Sequence, residues 1–531
     1  MKKWGTLITM SLAMFIIVID TTIMNVSISA LVVDLDTTVT GVQTAISIYA
    51  MVMASLMLIG SRLSDILGAK RIFVIGVIIY GFGTTLASLS HSLPMMIIGW
   101  SVMEGVGAAL MIPTIQVLLR NRYQGEQLAF SYGMIAAVAA VGAAVGPIVG
   151  GFFTTYISWR WAFRTELIIV IIVLFLARTL TVDKREGPRP KFDYLGGLLS
   201  IVGWSSIVLG ILQAQEYGFF LAKKPFMLGD MAIAPFGLSI SPVMVGFGVL
   251  VIMLLVQWEE HLEKIGGDGL FPPSIFKTPG LKSSIVVRFM QMAIMSGFLY
   301  IFPLMLQLSF SYTAMQTGMA LMPFSLSLLA MAILGSKLSS KFFANRIIIT
   351  GFVLATAGLG VLGASIKPDV SPSDLALGAL FGLGLGLINS QILNLILSSV
   401  KPDLTAETSG VNSTFEQLGN AIGVALIGTI LMGALTAGVE GGIHASTIIP
   451  LEAKTQLTAA VKSGIQLASD DDIQAGLEQA GADAAVSEEV LSIYDLARTQ
   501  AFKAGVSLLA FFALIAVVLS LRLPKRKLVS T

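Results

Sequence analysis

Long apolar runs, each broken by a cluster of glycine, proline or charge, dominate the pattern along the chain. A helix that crosses a bilayer needs about 20 mostly apolar residues. By that measure spans fall near 5–31, 40–60, 72–89, 94–118, 128–153, 162–181, 195–214, 240–258, 283–308, 316–335, 347–366, 374–399, 409–436 and 499–521. The pattern therefore predicts an all-α polytopic membrane protein with about 14 transmembrane helices. Met1-Lys2-Lys3 resembles the start of a signal peptide. The apolar run continues past Asp20 without a convincing small-residue cleavage site, however, so it reads as a retained helix.

Orientation follows from where lysine and arginine fall. With the N-terminus cytoplasmic, the inside segments hold Lys70 and Arg71, Arg120 and Arg122, then Lys184, Arg185, Arg189 and Lys191. Further on they hold Lys337, Lys341 and Arg346, and finally Arg522, Lys525, Arg526 and Lys527. Outside segments carry Asp34, Asp36, Asp369, Asp374 and a largely acidic stretch from Glu440 to Asp495, with Lys223 and Lys224 as the chief exceptions. Both termini inside require an even number of spans. The expected location is a cell (inner) membrane, with a multi-pass chain and both termini cytoplasmic.

The chain also repeats itself. Gly60-Ser61-Arg62-Leu63-Ser64-Asp65 through Ala69-Lys70-Arg71 recurs as Gly335-Ser336-Lys337-Leu338-Ser339-Ser340 through Ala344-Asn345-Arg346. At nearly the same offset Gly105-Val106-Gly107 has a counterpart in Gly382-Leu383-Gly384. Parallel repeats with a site at their interface are a transporter arrangement. The predicted organisation is a six-helix bundle at 1–184, two linking transmembrane helices with loops at 185–282, and a second six-helix bundle at 283–531. The second bundle contains an extracytoplasmic loop or hairpin at 437–498. In it Leu451 to Ala468 reads as an amphipathic helix. Ser487 reads as the N-cap of another that runs into the last span, with Glu488 and Glu489 favouring its positive end.

Composition narrows the function. Of 531 residues 55% are hydrophobic and 12% charged, half the charged share of a soluble domain, so the excess apolar residues must face lipid. A water-soluble enzyme and a disordered chain are excluded. The net charge of +2 gives no clustered basic surface for nucleic acid. Cysteine is absent, and His91, His261 and His444 lack metal-ligand spacing, so no metal site and no cofactor is expected. Gly-Lys occurs nowhere, so no P-loop binds ATP phosphates. No nucleophile, base and orienting group recur together, which argues against an enzyme.

Charge inside hydrocarbon costs at least ~2.5–3.5 kcal/mol per residue at a helix centre, so a retained one is informative. Asp20 lies in the first span, Glu104 in the fourth, Glu166 in the sixth, Arg288 in the ninth and Glu416 in the thirteenth. The alternative for each is a paired or interfacial structural charge. A carboxyl group out of water favours its protonated form and releases the proton when water or a cation arrives. Asp20, Glu104 and Glu416 are accordingly the candidates for proton and cation coupling. Met24, Asn25, Glu166, Asn389 and Gln391 are the candidates for a substrate cavity, which the 25 methionines can help line because Met repacks around varied shapes.

Two further stretches carry conformational chemistry. Gly142, Gly146 and Gly150 are four apart and so share one helix face, with Pro147 and Gly151 beside them; the face suits a hinge or a tight seal. Asp65, Gly68, Lys70 and Arg71 form a charged turn after the second span, where Asp65 can latch onto the facing bundle.

These residues together resemble the major facilitator superfamily, specifically its fourteen-helix drug:proton antiporter branch, over essentially the whole chain. The most specific parts are Asp20-Thr21-Thr22-Ile23-Met24-Asn25-Val26, the loop Asp65-Ile66-Leu67-Gly68-Ala69-Lys70-Arg71, the Gly142…Gly146-Pro147…Gly150-Gly151 run and Ser158-Trp159-Arg160-Trp161. The resemblance implies two bundles rocking about a central cavity, with efflux of lipophilic cations, dyes, biocides or antibiotics driven by proton entry. Two positions depart from it: Ser101 stands where the family has an arginine three residues before a glutamine-glycine pair, here Glu104-Gly105, and Glu166 stands where an asparagine is usual. The chain thus gains carboxylates where relatives have neutral or basic groups, which shifts selectivity towards cations or moves the proton site.

The expected function is proton-exchange export of hydrophobic, cationic drugs or biocides. Expected partners are small molecules, protons and the lipid bilayer, with a single chain sufficient. Export of a lipid or a specific metabolite, coupling to another ion, and a non-transporting receptor or scaffold are the alternatives.

Overall fold

The apolar runs become helices because each closes its backbone hydrogen bonds within itself, the arrangement that lipid demands. In the computed structural model, residues 4–180, 190–222, 225–228, 231–233, 237–339, 341–366, 376, 378–401 and 404–526 are described. The sequence expectations on Lys184, Arg185, Arg189, Lys223, Lys224, Ser340, Asp369, Asp374 and Lys527 lie outside these residues.

The first bundle contains α1 (Gly5–Val26), α2 (Val39–Leu67), α3 (Ala69–Ser88), α4 (Leu93–Arg122), α5 (Gly125–Tyr156) and α6 (Arg160–Ala177). Two inserted helices follow, α7 (Tyr194–Tyr217) and α8 (Ile240–Lys264), joined through a small antiparallel strand pair, Phe226–Leu228 with Met231–Ile233. The second bundle begins with α9 (Leu281–Ser309) and the bent pair Ala314–Ala320 and Met322–Leu338, taken together as α10. It continues with α11 (Ala344–Ser365), α12 (Gly378–Leu397) and α13 (Thr405–Ala445), and ends, after two short helices, with α16 (Ala484–Ser520).

Twelve of these helices are long and apolar enough to cross a membrane, and α10 makes thirteen if its two pieces count as one span. The remaining predicted span is α6, whose 18 residues include Arg160, Arg164 and Glu166. Each of the fourteen predicted spans has a helix at its place, and the chain is a multi-pass membrane protein.

The repeat seen in the sequence is a repeat in packing. A Cβ at Gly60 would lie 2.4 Å from the Ala109 carbonyl of α4, and one at Gly335 would lie 2.4 Å from Ser390 Oγ of α12. Gly76 of α3 meets the Gly107 carbonyl of α4, and Gly351 of α11 meets the Gly384 carbonyl of α12, at 2.9 and 2.7 Å by the same measure. At Gly60, Gly76 and Gly351 glycine is required because a neighbouring backbone approaches more closely than a side chain permits, and at Gly335 because the Ser390 side chain fills the space.

The inserted pair sits on the seam between the bundles. Val208 and Leu212 of α7 pack with Ala50 and Ala54 of α2 and with Leu418, Ala421 and Ala425 of α13. On α8, Phe247, Leu250, Met253 and Leu254 are exposed, as a lipid-facing side should be.

The segment after α13 is helical. α13 has 41 residues, which at 1.5 Å per residue is about 60 Å, twice the hydrocarbon thickness. Two short helices follow, α14 (Leu451–Gly464) and α15 (Asp470–Gln479), the first ending before the expected Ala468. α16 begins at Ala484, so Ser487 lies in its first turn and is not the expected N-cap. Asp483 flanks the helix instead, because the good helix formers Ala484 and Ala485 extend it. The helix does run unbroken into the last span.

Candidate functional site

Three of the intramembrane acids meet. Asp20 on α1, Glu104 on α4 and Glu166 on α6 are 1%, 0% and 2% exposed, and each offers a carboxylate oxygen within 4.8 Å of the others. The Trp100 indole N–H donates to both Asp20 oxygens, at 3.0 and 2.9 Å. The Trp100 ring stacks on Tyr49 of α2, with centroids 5.2 Å apart. Tyr49 and Tyr80 of α3 border the cluster. Both tyrosine hydroxyls, both Glu104 oxygens and Glu166 Oε2 are buried without a hydrogen bond of ordinary geometry. Among the described residues no lysine, arginine or histidine pairs with any of the three acids.

Local sequence explains the convergence. Trp100 and Glu104 are four apart, and the stretch Ile97–Glu104 is a π-helix, a rare wider turn that is frequent at functional sites. Gly83 lets Glu104 lie against α3, since a Cβ there would be 2.7 Å from Glu104 Cγ. Ser101 donates to the Ala45 carbonyl at 2.7 Å and is fully buried, so no basic group takes its place in the cluster.

Glu166, expected along a substrate cavity, is instead buried inside the first bundle beside Asp20 and Glu104. Met24 is also buried, and Gln391 is fully buried between helices, donating to the Gly335 carbonyl at 2.8 Å. Neither of these two lines open space. Asn25 is half-buried and caps back onto the Thr21 carbonyl at 2.8 Å.

Glu416 belongs to a different site. Arg288 of α9 pairs with it at 2.8 Å and also donates to Asn389 at 3.0 Å and Gln291 at 2.9 Å. The Glu416 side chain is 26% exposed and its charge is matched, so it is not brought together with Asp20 and Glu104.

The glycine face of α5 packs on α1. A Cβ at Gly146 or Gly150 would run into Thr22 or Val26, and one at Gly142 would sit tightly against Val18 at 3.3 Å; these three residues flank Asp20 along its helix. The other side of the same helix meets the second bundle. Gly318 of α10 abuts the Pro147 carbonyl, and Gly151 abuts that of Ala314. Further links across the seam are Tyr300 to Gln43 at 2.8 Å, Gln43 to the Val424 carbonyl at 3.1 Å and Gln307 to the Val26 carbonyl at 3.0 Å.

In the charged turn, Gly68 has φ +94, a backbone that only glycine adopts without strain, and it joins α2 to α3. Lys70 donates to the Arg178 and Leu180 carbonyls of its own bundle, and Arg71 is exposed. Glu407 on α13 stands within electrostatic reach of Asp65, Arg62 and Arg120; the like charge of Asp65 repels it, and the two arginines attract it. The Trp159-Arg160 pair, part of the recognisable sequence, grips Asp34 at 2.9 and 2.7 Å.

Sequence reasoning missed Tyr49, Tyr80, Trp100, Gln43 and Tyr300. A signal existed for Trp100, one helical turn before Glu104; the others carry none.

Two glycine-seamed bundles around intramembrane acids define a polytopic membrane carrier. The chain belongs to the major facilitator superfamily, whose profile matches residues 10–424. Similar proteins include the puromycin resistance protein pur8 of Streptomyces alboniger, 27% identical over 84% of this chain and 88% of that one. The cephamycin export protein CmcT of Amycolatopsis lactamdurans is 27% identical over 80% of this chain and 84% of that one. The multidrug resistance protein Stp of Mycobacterium tuberculosis is 24% identical over 84% and 79%. Among solved structures, a bacterial homolog of the human lysosomal transporter Spinster matches with TM-score 0.57 at 14% identity, covering 100% of this chain and 99% of that one. A D-xylose-proton symporter matches with TM-score 0.56 at 11% identity over 80% and 90%.

Proposed function

We propose that this protein exports hydrophobic drugs or antibiotics, cationic ones foremost, in exchange for protons bound at Asp20, Glu104 and Glu166. The observation that carries the reading is three carboxylates sharing one buried site with no basic partner among the described residues. Three negative charges cannot stay together out of water, so the site must hold protons or another cation. Asp20 sits on α1, whose opposite side is clamped by the α5 glycines and whose end holds Gln307 of the second bundle. Loading and unloading the site changes the charge carried by the helix that forms the seam, which ties it to rocking of the bundles. The resistance and export proteins among the relatives support drugs as the cargo. Substrate passes between the bundles, where Asn25 and the Arg288–Glu416–Asn389 network are candidate contacts. Asp65, Gly68, Lys70 and Arg71 shape the turn that closes the inner side.

The chain works as a monomer in an inner membrane with both termini cytoplasmic, and the lipid bilayer, small molecules and protons are its partners. Nucleic acid has no role in this cycle. The test is ethidium and tetraphenylphosphonium efflux from vesicles with an imposed pH gradient. Asp20→Asn and Glu104→Gln should abolish gradient-driven efflux, whereas Glu416→Gln should change substrate preference and keep the proton requirement. Gradient-driven efflux retained in Asp20→Asn removes the cluster from coupling.

A further inference from the structure

The second bundle shows what this position holds when no ion is needed. Glu104 precedes Gly105 as Phe381 precedes Gly382, and Phe381 is fully buried against Phe298 and Phe324, with centroids 4.7 and 5.5 Å away. Apolar rings fill the space in one repeat; three acids and two tyrosine hydroxyls fill it in the other. A merely structural role would favour the aromatic solution, because an uncompensated buried charge costs several kcal/mol.

The unused bonding capacity identifies the missing group. Trp100 satisfies Asp20, but both Glu104 oxygens, Glu166 Oε2 and the Tyr49 and Tyr80 hydroxyls are buried without a hydrogen bond of ordinary geometry, Tyr49 facing Asp20 and Tyr80 facing Glu104 and Glu166. Every one of these atoms is oxygen, which selects hard cations over the nitrogen- and sulfur-seeking metals. Three oxygens around one Ca2+, at about 2.3–2.6 Å each, stand at most about 5 Å apart. The 4.8 Å limit on the carboxylate oxygens here meets that condition. Mg2+ sheds its water reluctantly and fits a site of this dryness poorly. A monovalent ion leaves two of the three charges unmatched.

We propose that Asp20, Glu104 and Glu166 form a binding site for one dehydrated hard divalent cation, of the Ca2+ or Mn2+ kind, with Tyr49 and Tyr80 completing the oxygen shell. A divalent ion neutralises two of the three charges and one proton neutralises the third. Protons therefore compete with the metal, and among the described residues the titratable groups facing it are these three acids and two tyrosines. The site stands on this geometry alone and holds whether or not the chain exports drugs.

The test uses the purified full-length protein in lipid nanodiscs, with neither substrate nor gradient. Tb3+ is the probe, because Trp100 and Tyr49 lie close enough to sensitise its luminescence. The expected result is one Tb3+ per chain, displaced by Ca2+ or Mn2+ but not by Mg2+ or Na+ at equal concentration, with binding weakened at about pH 5 by proton competition. Glu104→Gln and Glu166→Gln should each weaken binding at least about tenfold, and Glu263→Gln should match wild type. Should the two variants fold poorly, Trp100→Phe keeps all three carboxylates: sensitised luminescence falls while the calorimetric heat of Ca2+ binding persists. Absence of saturable divalent binding in the wild type, equal binding in both acid variants, or binding of Na+ with no divalent response overturns the proposal.

Discussion

Trp100 donates its indole N–H to both oxygens of Asp20, and the two residues lie on different helices, α4 and α1. This is the hydrogen-bond donor that fixes the orientation of the Asp20 carboxylate. A hydrogen bond to a charged group contributes about 1.5–3 kcal/mol. Trp100→Phe keeps the ring stacked on Tyr49 and removes only the donor. The initial rate of gradient-driven dye efflux should fall about 10- to 100-fold, with the protein still monodisperse in detergent. An unchanged rate would mean that Asp20 is positioned by something else.

The α5 seam predicts a sharp contrast between two glycines on one helix. A Cβ at Gly146 would lie 1.9 Å from Thr22 Oγ1, whereas one at Gly133 would meet nothing within 4 Å. Gly146→Leu should lower the unfolding temperature, with an overpacking cost of about 1–3 kcal/mol, and stop transport. Gly133→Leu should leave both near wild type. Thermal unfolding followed by tryptophan fluorescence, beside dye efflux, measures the difference.

Asp268 joins three segments on the side of the termini. It accepts the Lys191 backbone N–H at 3.0 Å and pairs with Arg62 at 3.0 Å. The Lys191 N–H, followed by the Arg62 charge, holds its carboxyl below the usual value. The stabilisation is therefore complete above the free carboxyl pKa of about 4 and disappears as pH falls through the lower folded value. The Asp268 side chain is 45% exposed, so solvent screening keeps the contribution under about 1 kcal/mol. Asp268→Asn should unfold slightly below wild type at every pH from about 5 to 8, and the gap should close below about pH 3. A gap that widened on acidification would contradict this assignment.

The helices and the repeat were legible because both are one-dimensional signals: length of apolar run for the first, a matched offset of glycine and charge for the second. Gly60 with Gly335 and Gly107 with Gly384 mark the same helix contacts in the two bundles. The acids were legible one at a time, since charge in a membrane span is rare. Their grouping was not, because hydropathy does not give the rotation of a helix about its axis. Glu166 thus looked like a cavity residue, and for Glu416 the coupling role and a paired structural charge stayed open, although Arg288, its partner, was visible in the same half of the chain. The tyrosines that border the cluster carry no pattern that separates them from other aromatic residues of the bundles.

Arg498 predicts how separable the helical projection is from transport. Its side chain is fully buried, 2.8 Å from both Asp470 and Asp495, and donates to the Ala468 carbonyl at 3.1 Å. Beside it Tyr494 accepts the Ala468 N–H and donates to the Gln466 carbonyl. These bonds dock α15 and the chain before it onto α16, in the second bundle, whereas the three acids lie in the first. Arg498→Met should cost about 2 kcal/mol in docking, because partly exposed Asp470 and Asp495 regain water. Limited proteolysis should then cut faster between α14 and α16 while dye extrusion stays at the wild-type rate. Lost extrusion with the α14–α16 region still protease-resistant would instead make this projection part of the transport path.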